Sequence, residues 1–305
     1  MEIKGILVTA LAPFENHIAN GGEKLLGNAS SIKRRPDGRV YVSGQMQRHV
    51  LFSAINRINT TDPDKRDTFV SNGDGISNLI EKDLRADMGG FMHPSKGDYS
   101  GRRTAPLSVT PAVAVSVSDI GRDLLVRIRC DKSDDAKDQA LATKEFSEYD
   151  LMHMNFFLDI SGLSVSKAFE YKKSFNLGTK YFKHANDNER KRRARLYLEA
   201  TKSMNDYASQ ARNAVSGEPQ KVLIVFDTIL SRKASRYFVA GEQEQKNIIK
   251  ELEAREAKYF LGDDTKEDSV HKAYTEALEY LSSNTLYDPA KGTEVVTFEQ
   301  AFGGE

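Results

Sequence analysis

The chain has 305 residues, 39% of them hydrophobic and 29% charged, which is enough to bury a core in one large domain or two modest ones. Lysine plus arginine and aspartate plus glutamate both number 44, so whole-protein attraction to nucleic acid is excluded and any basic surface must be local. The lone Cys130 excludes an internal disulfide and a thiolate zinc cage and fits a reducing cytoplasm, while six scattered histidines argue against a metal site, so no cofactor is expected.

The N-terminus lacks a basic segment ahead of a long apolar run, so no signal peptide is expected, and no run approaches membrane-spanning length. Residues 3–10 predict a buried strand that stops at Pro13, and residues 16–31 read as a polar loop. Val40, Tyr41 and Val42 predict a short strand leading into Ser43 as the N-cap of a helix. Met46, Val50, Leu51, Ala54, Ile55 and Ile58 form that helix's apolar face. Residues 60–110 lose periodicity and gain glycine, which reads as an insertion projecting from the core. Alternating Val113, Val115 and Val117, then Val126, Ile128 and Cys130, predict an antiparallel hairpin of 112–118 with 124–130. An acidic polar stretch, 131–148, leads into a strand over 151–163 with Met152, Met154, Phe156, Leu158 and Ile160 on one side. Residues 167–186 interleave aromatic and basic side chains. A long helix is predicted over 188–215, a buried strand over 221–229, and two covering helices over 242–261 and 266–281. The skeleton is strand, helix, strand pair, helix, strand, the order of an α+β ferredoxin-like (RRM-like) fold.

Three features carry chemistry. The loop 28–39 holds Lys33, Arg34, Arg35 and Arg39 against Asp37 and feeds a helix N-terminus bearing Gln45, Arg48 and His49, so cations and backbone donors converge on a phosphate-sized target. The segment 167–183 suits RNA, with aromatic faces for bases and lysines for the backbone. Arg190, Lys191, Arg192, Arg193 and Arg195 oppose the dipole of the long helix, which a nearby polyanion would offset. The alternatives are a solvated loop beside a capped helix and a hairpin whose aromatics belong to the core. Catalytic motifs are missing: NGDGIS lacks the lysine of a P-loop, and there is no GxSxG or HExxH. His49 is available as an acid or base for RNA cleavage or as a phosphate contact.

GNASSIKRR, RVYVSGQMQRH and DLRADMGGFM, with the Arg-rich helix followed by KVLIVFD, resemble the Cas-seven family of RAMP proteins, the Cascade backbone subunits of type I CRISPR systems, and within it the DevR branch of type I-B. The resemblance implies a ferredoxin-like palm over 1–230, with inserted fingers at about 60–110 and a thumb hairpin at about 165–187. Residues 231–305 would be a helical extension of the same domain. It further implies a non-catalytic cytoplasmic protein whose copies line up along CRISPR RNA beside other Cascade subunits and present the guide to target DNA. The RNA-contacting candidates are Asn28, Ser30, Lys33, Arg34, Arg35, Arg39, Ser43, Gln45, Arg48 and His49, then Lys172, Lys173, Phe175 and Lys180 in the thumb, and Arg192 and Arg193. A RAMP-type endoribonuclease and an RNA-binding module outside CRISPR biology are the alternatives.

Overall fold

The computed structural model describes residues 2–25, 29–73, 77–92, 102–129, 138–172 and 175–302. A short β1 (Glu2–Ile3) precedes β2 (Gly5–His17), and β3 (Gly22–Lys24) with β4 (Ser30–Ile32) makes a small ribbon ahead of β5 (Tyr41–Val42) and α1 (Gly44–Thr61). Next come α2 (Leu84–Gly89), β6 (Phe91–Met92), β7 (Arg102–Arg103), β8 (Leu107–Val109) and β9 (Ala112–Ala114). β10 (Ile120–Arg129) and β11 (Asp138–Asp159) precede the hairpin of β12 (Val165–Lys172) and β13 (Phe175–Lys183), then α3 (Asp187–Lys202) and β14 (Lys221–Asp227). A 3-10 turn at Lys233–Val239 leads to α4 (Glu242–Ala254), β15 (Lys258–Asp263), α5 (Val270–Ser283), β16 (Thr285–Leu286) and α6 (Phe298–Phe302).

The main sheet runs β15-β14-β2-β11, with β8 and β9 on the far side of β11, and every one of these pairings is antiparallel. Side chains alternate between the two faces of a strand, so the register sorts them. Val8 lies opposite Phe156 and Ile224, Ala10 opposite Met154 and Val222, and this face packs on α1, α3 and α5 through Leu51, Ile55, Tyr197 and Tyr274. Leu7, Phe157, Leu223 and Val225 share the other face, under Ala234, Ile248 and Leu252 of the 3-10 turn and α4. Covering both faces explains why β2 is continuously apolar rather than alternating. Each buried Leu, Ile or Phe here contributes roughly 1.5–3 kcal/mol relative to exposure.

Several elements differ from the expectations, each for a physical reason. β2 continues through Pro13 because β14 pairs only as far as Leu11, leaving Pro13 a neighbour on one side, where its missing N–H costs no ladder bond. Residues 120–129 pair with 138–147 rather than with 112–118, and β9 instead joins Met152 and His153 of β11 and the short β5. Alternation identified these strands without naming their partners. Cys130, with the rest of 130–137, lies outside the described residues. Helix α3 stops at Lys202, not 215: Met204 C=O accepts from Gly217 N–H at 2.7 Å, and Asp206 is held by Arg57 and Ser53. Met204, Tyr207 and Val215 are still buried in the core, which is why their spacing looked helical. The helix expected over 242–261 breaks after Ala254, where Glu256 takes a left-handed φ of 57°, and residues 258–263 become the edge strand β15. The insertion is not wholly a projection either, since Leu84, Ala86, Asp87 and Met88 of α2 are buried.

Candidate nucleic-acid interface

Ser43 caps α1 as the sequence indicates, its Oγ accepting from Met46 N–H at 3.2 Å while its own N–H donates to Asn20 Oδ1 at 3.0 Å. The first turn holds no acidic residue, so the positive end of the helix is not offset from within. Exposed Gln45 and His49 and half-buried Arg48 open onto a groove of about 980 Å³, whose opposite wall includes Ser71, Asn72, Gly73, Asp83 and Arg85. Arg48 Nη2 donates to Gly89 C=O, and its guanidinium sits 5.6 Å from the Phe52 ring centroid. Burial pushes that guanidinium's pKa below its ordinary value, the mark of a cation short of solvation. Asp83 Oδ1 accepts from Ser71 N–H and Arg85 N–H, tying the far wall together.

Gly90 in the groove wall is required by geometry, and Gly89 beside it leaves the Arg48 guanidinium its present place. A Cβ at position 89 would collide with the Arg48 guanidinium and reach 3.2 Å from Phe52, and Gly90 has a left-handed φ of 67° with Arg103 C=O 2.5 Å from where its Cβ would stand. Within DMGG, the Gly89 carbonyl is what fastens the Arg48 guanidinium.

In the basic loop, Gly38 (φ 84°) donates to Arg35 C=O at 3.0 Å and closes a tight turn. Arg39 pairs with Asp37 at 2.7 Å, its hydrogen bonds holding the Asp37 carboxyl below the usual carboxylate range. Arg34 lies 3.6 Å from Glu145. Lys33 and Arg35 form no ion pair with any described residue. The loop's exit is fixed from below: Val40 N–H donates to Ser118 Oγ, which donates to Asp150, itself 2.8 Å from His17. Ser30 sits in β4 opposite Lys144, and Asn28 lies outside the described residues.

On the hairpin β12/β13, Phe175 is 76% and Leu177 64% exposed, and Phe169 and Tyr181 also face solvent. These side chains are not core. Lys167 and Lys180 lie 5.6 and 5.1 Å from the rings of Phe169 and Phe182. Lys173 and the side chain of Lys172 lie outside the described residues.

Arg192 and Arg193 require a correction. Both are buried, Arg193 completely, and both spend their donors internally: Arg192 on Glu189, Asp62, Asn59 and Thr68, Arg193 on Glu189, Asp87 and the carbonyls of Ile80 and Glu81. Arg190 is likewise buried on the carbonyls of Ile160, Leu163 and Tyr287. The charges that oppose the helix dipole are offset by carboxylates of this chain, so Arg192 and Arg193 leave the set of RNA contacts. Sequence reading missed Arg85, Phe52 and Gly89, for which the paired glycines of DMGG were the available signal.

A protein-family model described as CRISPR-associated negative auto-regulator DevR/Csa2 matches residues 14–216. The chain belongs to this family. The DevR/Csa2 match takes in the basic loop, α1, α2, the hairpin and α3, and ends before β14. A solved chain from a CRISPR RNA-guided surveillance complex aligns with a TM-score of 0.53 at 13% identity, covering 90% of this chain and 99% of the other. A second, from such a complex in a pre-nicking state, gives 0.53 at 11% identity over 91% and 99%. At these identities the likeness shows the fold alone. A search of curated proteins gives no match. Among the described residues no group of three or more His, Cys, Asp or Glu could hold a metal ion, and no helix is long and apolar enough to cross a membrane.

Proposed function

We propose that this DevR/Csa2 protein is a backbone subunit of a type I CRISPR Cascade effector of the I-B kind, a non-catalytic cytoplasmic scaffold whose copies coat CRISPR RNA and present it to target DNA. The observation that carries the reading is the continuity of the basic loop with the capped start of α1 and its groove. Lys33, Arg35, Gln45, Arg48 and His49, with Ser30, Ser43, Arg34 and Arg39 around them, suit phosphates of any sequence. The strand order β14-β2-β11-β8/β9 with α1 and α3 on one face supports a ferredoxin-like palm, residues 60–110 serve as fingers, and β12/β13 serves as the thumb. Exposed Phe175 and Lys180 suit a wedge that interrupts the guide strand. Leu124, Val126 and Leu141, exposed together on the β10/β11 ribbon, suit contact with neighbouring subunits.

Expression beside a CRISPR array tests the proposal. The protein should purify as an oligomer carrying RNA of uniform size, and a monomer without RNA overturns it. Labelled RNA incubated with and without divalent metal should stay intact; stable fragments that vanish in His49→Ala would replace the scaffold with a ribonuclease.

A further inference from the structure

The groove at the start of α1 is lined in part by Leu107, Ser108 and Val109 of β8, which pairs with β11. Ser108 lies directly opposite Phe157 across that ladder, so their Cα atoms are about 5 Å apart and their side chains share a face. It is the face that the 3-10 turn and α4 cover, on the other side of the sheet from α1. Over the Phe157 ring, 4.6 Å from its centroid, sits the guanidinium of Arg232, in the link between β14 and the 3-10 turn. Phe157 is only 3% exposed, whereas Arg232 faces solvent. The backbone there is pinned to the sheet. Ser235 N–H donates to Arg232 C=O at 3.0 Å, and Ser235 C=O accepts from Thr9 Oγ1 of β2 at 3.2 Å.

Residues 232–239 carry three cations, and two of them have acids: Lys233 pairs with Glu251, and Arg236 with Glu244 at 3.3 Å. Asp159 and Asp227, which end β11 and β14, commit their carboxylates to Ser161 and Arg255. Arg232 forms no ion pair and no side-chain hydrogen bond with any described residue. Stacking on a buried ring restrains the guanidinium plane and leaves its five N–H donors uncommitted, an arrangement that suits an anion at the edge. We propose that Arg232 holds a backbone phosphate of the bound RNA, where the strand leaves the groove across β8 onto the second face of the sheet. The inference rests on the RNA-binding reading above. It adds a contact from beyond residues 14–216, the part of the chain that the family model matches, and makes Phe157 the platform for that contact.

Fluorescence anisotropy with labelled single-stranded RNA across a salt series tests this on the wild type, Arg232→Gln, and a double variant, Lys33→Gln with Arg35→Gln. Loss of one phosphate contact in Arg232→Gln should lower affinity about tenfold, equally for unrelated sequences, and flatten the slope of log K against log salt by about 0.7. Affinity and slope as in the wild type overturn the proposal and leave Arg232 as a cover for Phe157. A sequence-dependent loss with an unchanged slope overturns the phosphate contact in favour of a base. A wild type that does not bind, or a double variant that binds as wild type, overturns the RNA reading itself. Phenylglyoxal labelling of wild-type arginines, read by mass spectrometry, covers the case in which Arg232→Gln does not fold. Added RNA should shield Arg232 and Arg35 together; shielding of Arg35 alone overturns the role of Arg232, and shielding of neither overturns the RNA reading.

Discussion

Asp87 ties three distant parts of the chain together. Its carboxylate accepts from Arg103 at 2.5 Å, Arg193 at 2.6 Å, and Ser164 through both N–H and Oγ. Burial opposes its ionisation, but Arg193 and Arg103 outweigh that and hold it below the usual carboxylate range. Asp87→Ala would remove from the core the carboxylate that Arg103 and Arg193 share, so chemical denaturation should show a loss of about 3–5 kcal/mol. The same reasoning explains why the arginines of α3 misled: a run of cations reads alike whether it faces RNA or buried acid, and Asp62 and Asp87 are over a hundred positions away. His184 gives a second prediction. Burial pushes its pKa down to about 4, with its ring between Val296 C=O and Ser166 Oγ, at 2.8 and 2.9 Å. The folded protein binds this proton later than the unfolded chain, whose histidine titrates near 6.5, so stability is full above that value and falls as pH drops from about 6.5 to 4. The loss is roughly 3 kcal/mol at 1.36 kcal/mol per unit. Comparing thermal midpoints at pH 7 and pH 5 should show about 2 kcal/mol of this loss, and His184→Gln should remove most of that part.

The base of the hairpin β12/β13 is gripped by the C-terminal segment as well as by the core. Val296 N–H donates to Lys183 C=O at 2.8 Å, Phe298 packs edge-on against Phe91 at 5.4 Å, and Phe302 does the same to Phe182 at 5.1 Å. Lys183 Nζ adds a 2.7 Å pair with Asp288. The strap therefore joins the hairpin to β6, whose Phe91 also lines the groove. Phe298→Ala should remove about 3 kcal/mol of local burial, and hydrogen exchange should accelerate at 182–184 and 296 while α1 and β2 keep their protection. Equal acceleration throughout would mean that the strap belongs to the global core. The hairpin itself was legible in the sequence, since alternating aromatic and basic residues survive as exposed pairs. The strap was not, because TFEQAF has too little length for periodicity to register, and its partners lie between four and over two hundred positions away.

Across the whole molecule, equal numbers of cations and anions leave the proposed RNA binding to charges within about a Debye length of the strand, roughly 8 Å at physiological salt. The elements of the proposed grip were legible because they are consecutive: loop, turn, strand, cap and helix all fall within residues 29–61. Its restraint was not, because Glu145 lies on the ribbon strand, more than a hundred positions from the loop. That carboxylate is buried, meets Arg34 at 3.6 Å and Arg122 at 3.2 Å, and accepts from Ile32 N–H at 3.3 Å. On the proposed reading, it competes with an RNA phosphate for Arg34. Glu145→Gln keeps an acceptor for Ile32 and removes the charge, so RNA should bind several-fold more tightly and the salt slope should steepen by about 0.7 for the cation released. Thermal stability should change by less than about 1 kcal/mol, because Arg34 is 42% exposed and such pairs contribute little. If affinity stays level while stability falls, Arg34 serves the ribbon and not the RNA, and the grip narrows to Lys33, Arg35 and the start of α1.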